Sequence, residues 1–145
     1  MNTRVTLALV AALFPGHLFA GNWPAATVYK TPSCGCCNEY VSYLRDHGVE
    51  VNTVNTDDLL SVNNQYGLPQ QYAGCHTTVI GGYAVGGHVP ISTLDRLLTE
   101  RPRVSGVTLP GMPQGSPGMT GTKQEPFRIY EFRTGDPDVR LYAVE

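Results

Sequence analysis

The chain has 145 residues, the length of one domain, and its 15% charged and 41% hydrophobic residues are the balance of a folded protein rather than a disordered one. Its formal net charge is −2 and no basic stripe runs along it, which argues against nucleic acid as a partner. Neither a phosphate-cradling glycine motif nor an HExxH pair occurs, which leaves no nucleotide site and no zinc-protease helix to expect.

Residues 1–20 have the layout of a secretory signal peptide: Arg4, an apolar run over 5–14, a break at Pro15-Gly16, and Leu18-Phe19-Ala20 with a small residue at the end. The run is about half the roughly twenty residues a membrane span needs. The expected mature chain begins near Gly21, carries nine basic against twelve acidic residues, has no stable membrane span, and works outside the cytoplasm.

Residues 26–30 are a short β-like run, and Thr31-Pro32-Ser33 turns the chain. Tyr40, Val41 and Leu44 then lie at helical spacing over 37–46, with His47-Gly48 as a helix end and His47 as a contact to the helix dipole. Residues 49–54 alternate apolar and polar, so 26–54 reads as a βαβ unit. Asp57 or Asp58 caps a helix over 59–66, which Gly67-Leu68-Pro69 stops. A strand over 77–80, a Gly81-Gly82 hairpin turn and a return over 83–86 follow, then a helix after Pro90 with Ile91, Leu94, Leu97 and Leu98 on one face.

Residues 103–125 show no periodicity and are read as a Gly/Pro/Met loop, and 126–145 as a C-terminal β-hairpin of the same domain. The order βαβ, helix, ββ, helix over 26–102 is that of an α/β thioredoxin-like core. The expected fold class is therefore a thioredoxin-like three-layer sandwich with a β-hairpin extension.

Chemistry concentrates in Cys34, Cys36, Cys37 and Cys75. The first three open the first helix, where free N–H groups and a partial positive charge favour thiolate over thiol. Gly35 removes a side chain from the turn between them. Cys34 and Cys37 have the CxxC spacing of a thiol oxidoreductase, with Cys34 as nucleophile and Cys37 resolving. Cys36 would interfere in a two-thiol cycle but suits a soft metal; thiolates select Cu(I), with Zn(II) as competitor. A structural zinc site usually draws on two separated knuckles, a spacing absent here.

Cys75 precedes the third strand where thioredoxin-like domains usually carry a cis-proline, and on that fold it meets the cluster. A plain structural disulfide from Cys75 to Cys36 or Cys34 is the competing reading. His76, His88, Met112 and Met119 are further ligand candidates: the histidines flank the third and fourth strands, and the methionines sit in the aperiodic loop, where thioethers suit copper.

With these motifs assembled — the CxCC turn at 34–37, Cys75-His76-Thr77, Gly87-His88-Val89-Pro90, and Gly111-Met112-Pro113-Gln114-Gly115-Ser116-Pro117-Gly118-Met119 — the chain resembles the CopG-type copper-resistance family over residues 26–144. That resemblance implies an exported thioredoxin-like protein of copper handling, with copper ions and other periplasmic copper-handling or thiol-redox proteins as partners. It maps the four motif cysteines onto Cys34, Cys36, Cys37 and Cys75. Two functions follow as expectations: Cu(I) bound by four thiolates, with several ions bridged because adjacent side chains diverge, or a thiol/disulfide oxidoreductase using Cys34 and Cys37.

Overall fold

The computed structural model describes residues 22–145, so the expected signal peptide lies outside the described residues. Seven strands form one sheet: β1 (Ala26–Lys30), β2 (Val51–Asn55), β3 (His76–Ile80), β4 (Tyr83–Gly86), β5 (Gly106–Thr108), β6 (Arg128–Phe132) and β7 (Arg140–Val144). Three α-helices accompany them: α1 (Gly35–Asp46), α2 (Leu59–Tyr66) and α3 (Ile91–Glu100), with a short 3₁₀ turn over Gln70–Tyr72. The fold is mixed α/β, with strand order β2-β1-β3-β4-β5-β6-β7.

Local chemistry explains where these elements start and stop. The Asp58 carboxylate accepts from the Ser61 N–H at 3.0 Å and caps α2, and Gly67 ends that helix in the left-handed conformation at φ 74°. Gly81 and Gly82, both at positive φ, make the two-residue turn between β3 and β4. The His47 ring approaches the Tyr43 carbonyl at 2.7 Å, in the last turn of α1, where that oxygen also accepts from the His47 N–H at 3.3 Å.

Side chains from alternate positions of the sheet separate into two cores. Ala26 and Val28 of β1, Tyr40, Val41 and Leu44 of α1, and Leu94 and Leu97 of α3 are buried together with Val85, Val107 and Ile129. Ala84, next to Val85 on β4, joins Leu68 and Phe132 in a smaller cluster bordered by Tyr66 and Tyr72. Strand neighbours point to opposite faces, so α1 and α3 cover one face and the α2 region the other.

β1 pairs with β2 in parallel and with β3 antiparallel, in a register that sets Lys30 opposite His76. The residues following β1 and those preceding β3 therefore emerge at the same end of the sheet.

One segment differs from the sequence reading. Residues 106–108 do not belong to an irregular loop; they form β5, which pairs in parallel with β4 and antiparallel with β6. Three residues are too short a run to show alternation, and all three are buried, so no periodicity announces the strand. β5 makes the C-terminal strands part of the same sheet. The rest of the segment leaves the sheet at Leu109 and returns at Phe127, held by Ser116 N–H to Pro113 O at 3.2 Å, Met119 N–H to Ser116 O at 2.9 Å and Gly115 N–H to Thr120 O at 3.2 Å.

This loop lies against α1. Gly118 is at φ 79°, and a Cβ there would stand 2.6 Å from the Tyr40 nitrogen. Gly118→Ala is expected to cost about 1–3 kcal/mol through backbone strain and loss of this close approach. A fall in thermal midpoint of several degrees in the metal-free protein checks it.

Candidate metal-thiol centre

α1 begins at the cysteine turn. Cys34 is its N-cap, with φ −77° and ψ 101°, and its Sγ accepts from the Cys37 N–H at 3.3 Å. Gly35 has ordinary negative φ, and a Cβ at this position would meet no atom within 4 Å. The expected need for glycine in this turn is therefore not steric: the N-cap conformation of Cys34 makes the bend.

The four sulfurs form a ring. Cys34 and Cys37 are joined as a disulfide, while Cys36 and Cys75 are free thiols. Around the ring, Cys34 Sγ is 3.5 Å from Cys36 Sγ, Cys36 Sγ is 3.7 Å from Cys75 Sγ, and Cys75 Sγ is 3.2 Å from Cys37 Sγ. All four lie within 4.8 Å of one another. A staple from Cys75 to Cys36 or Cys34 is not the pairing present. No cis peptide occurs among the described residues, and Cys75 itself comes from the chain before β3 to meet the turn.

Cys75 shares a second group with His76 and His88. Its Sγ is 3.7 Å from His76 Nδ1 and 3.9 Å from His88 Nε2. The His88 tautomer follows from its other nitrogen, which is 2.6 Å from the Pro117 carbonyl oxygen. That oxygen only accepts, so Nδ1 carries the proton and the neutral ring turns the lone pair of Nε2 toward Cys75. The acceptor is a backbone atom of the methionine loop.

His76 is fully buried, and its Nε2 has no hydrogen-bond partner. An unmet buried polar atom costs about 1–3 kcal/mol, more than a histidine kept only for packing normally carries.

The fourth thiol lies in a different environment from the helix terminus expected to favour thiolate at the other three. Burial, then the hydrogen bond from Cys36 and its charge, push the Cys75 thiol up to about 12. Cys75 stands off the helix terminus that favours thiolate, so a ligand must displace its proton. Burial, and then the neighbouring His88, hold His76 down to about 3; burial also lowers His88. Both rings are therefore neutral at neutral pH, the form in which imidazole binds metal.

Met112 and Met119 are half-buried on the loop, on either side of the segment that meets His88 and α1. Met112 adopts φ 46°, unusual for a residue with a side chain. The four cysteines and two histidines converge; the methionines are brought onto the covering loop.

Two contributors were not legible as site residues. Tyr40 reads as a helix-face core residue, yet its ring lies 4.8 Å from that of His76 and 5.3 Å from that of His88, and its hydroxyl donates to Val89 O at 2.7 Å. The Pro117 carbonyl is a backbone group and leaves no side-chain signal.

A cleft of about 470 Å³ lies between the loop and β6 near Pro113, Phe127 and Tyr130, and no cysteine lines it.

On this mixed α/β domain, four convergent sulfurs beside two neutral imidazoles make a donor set that could hold a soft metal ion. Two solved structures named as copper resistance protein CopG, in forms 1 and 2, are 33% identical to this chain, with TM-scores of 0.76 and 0.75. Each match covers 84% of this chain and 98% of the other. The chain belongs to the CopG copper-resistance family. Residues 72–119 also match the family described as "Protein of unknown function, DUF411", a stretch from just before Cys75 through Met119. The curated proteins contain no match.

The buried histidines predict an acid sensitivity of the copper-free fold. The folded value of His76 lies below the ~6.5 of an unfolded histidine, so between about pH 6.5 and 3 the unfolded chain binds the extra proton. The stabilisation is present above that window and is lost as pH falls into it. Lowering the pH from 7 to 4.5 is expected to cost about 2 kcal/mol through His76 alone. Denaturant melts of wild type and His76→Gln at both pH values check this; the variant should show the shallower dependence.

Proposed function

We propose that this chain is an exported, thioredoxin-like protein of copper handling that binds Cu(I) through Cys34, Cys36, Cys37 and Cys75. The observation that carries the reading is the ring of four sulfurs within 4.8 Å, assembled from two chain segments. The sheet order β2-β1-β3-β4, with β1 and β2 parallel and the cysteine turn between β1 and α1, supports the thioredoxin-like assignment. The names of the related structures support copper as the ion. Thiolate-rich donors favour Cu(I) over harder ions.

Three clustered thiolates diverge along one helical turn, which favours several ions bridged by sulfur over one ion held by all four. His76 and His88 stand beside Cys75 as additional nitrogen donors, and Met112 and Met119 are the thioether candidates. The periplasm suits these roles, and no helix among the described residues is long and apolar enough to cross a membrane. The Cys34–Cys37 disulfide withholds two sulfurs, so loading requires the reduced chain.

A second reading rests on that disulfide: a thiol/disulfide oxidoreductase with Cys34 as the attacking thiol. Both readings are tested by titrating the reduced protein with Cu(I) against a competing chelator. Tight binding of at least one copper per chain is expected, reduced at least tenfold in affinity by Cys75→Ser, given about 1.4 kcal/mol per tenfold step. Failure to bind would sink the copper reading. If Cys34→Ser keeps copper binding but loses disulfide-reducing activity, the second function coexists with the first.

A further inference from the structure

A polar groove runs beside the cysteine turn, on the other side of α1 from the histidines' loop contact, between that helix and the edge strand β2. It is open to solvent, measures about 450 Å³ and is lined by Lys30, Asn38, Ser42, Arg45, Thr53 and Asn55, with Pro32 at its end. No acidic side chain is among its lining residues.

Lys30, the last residue of β1, is only 5% exposed. Its ammonium group has a single protein partner, the carbonyl oxygen of the adjacent Thr31 at 3.2 Å. Buried lysines are nearly always paired, because an ammonium group removed from water needs compensating negative charge or several acceptors. Among the described residues, neither Lys30 nor Arg45 takes part in an ion pair. Arg45 donates from one terminal nitrogen to Val51 O at 2.9 Å, leaving the rest of its donor fork unassigned.

Asn38, Ser42 and Arg45 share one face of α1 at spacings of four and three. Asn55 of β2 faces them across the groove. Two cations, two amides and a hydroxyl without an internal carboxylate form a donor-rich surface.

We propose that this groove binds an oxyanion-bearing small molecule, through Lys30 and Arg45 as the charged donors and Asn38, Ser42 and Asn55 as neutral ones. The shared chemistry is a carboxylate or phosphate group. An anionic group seated there gives the buried ammonium its missing counter-charge and a charge-assisted hydrogen bond. Pro32 ties the groove to the turn that leads to Cys34, two residues on, so a ligand there sits at the approach to the thiol ring. The groove shares no lining residue with that ring, and the assignment stands independently of which ion the thiols bind.

The test is an NMR titration of the copper-free protein with inorganic phosphate and, separately, succinate, each compared with sodium chloride at matched ionic strength. Saturable shifts are expected at the amides of Asn38, Ser42 and Asn55, with a midpoint in the range of about 1–10 mM for a minimal probe. Saturation by phosphate alone or by succinate alone supports the site and identifies the anion class. Arg45 is exposed, so Arg45→Gln keeps the fold and is expected to weaken binding about tenfold. Lys30→Met, which retains a long apolar stem, is expected to do the same. Non-saturating shifts that match chloride, or saturation unchanged in Arg45→Gln, would overturn the proposal.

Discussion

The antiparallel pairing of β1 with β3 is the constraint on which the centre depends. Because Lys30 stands opposite His76, the chain leaving β1 and the chain entering β3 share one end of the sheet. The turn after Lys30 carries Cys34, Cys36 and Cys37, and the residue before His76 is Cys75. Slipping this register by one residue would invert the faces of β3 and carry His76 out of the core beneath α1. Two ordinary strands therefore do the positioning, and the ring of sulfurs needs no special backbone beyond the N-cap of α1.

Much of this was legible in the sequence, for identifiable reasons. The 3.6-residue spacing of Tyr40, Val41 and Leu44, the Asp58 cap and the Gly81-Gly82 turn are local signals, and the elements formed where those signals stand. The convergence of Cys75 on the turn required a fold-level argument, since nothing within a few residues of Cys75 indicates its partners. Four features escaped. β5 is too short to show a period, Tyr40 looks like any core aromatic, and the acceptor that orients His88 is a main-chain carbonyl. Lys30 escaped for another reason: a lysine at a strand end is normally solvated, and only the packing of α1 over β1 reveals that this one is enclosed.

The centre combines opposed environments within a few ångströms. The N-terminus of α1 gives Cys34 the Cys37 N–H, while burial and the neighbouring Cys36 thiol keep Cys75 protonated. The sulfurs are thus chemically unequal. The helix-opening pair Cys34 and Cys37 is joined as a disulfide, whereas the sulfur supplied by the other segment holds its proton until something replaces it. Such inequality suits a site in which loading and redox state are linked, because the two segments respond to different stimuli.

The loop between β5 and β6 has a consequence for timing. Its two ends are anchored in neighbouring strands of the sheet, where Thr108 pairs with Tyr130. Its middle is fixed by the contact of Gly118 with α1 and by the Pro117 carbonyl at His88. The ordering entropy of this wall is therefore met during folding rather than at the moment of capture. His88 is already held in one tautomer, so an ion bound as proposed would meet a loop ordered in advance instead of a flap that must first be recruited.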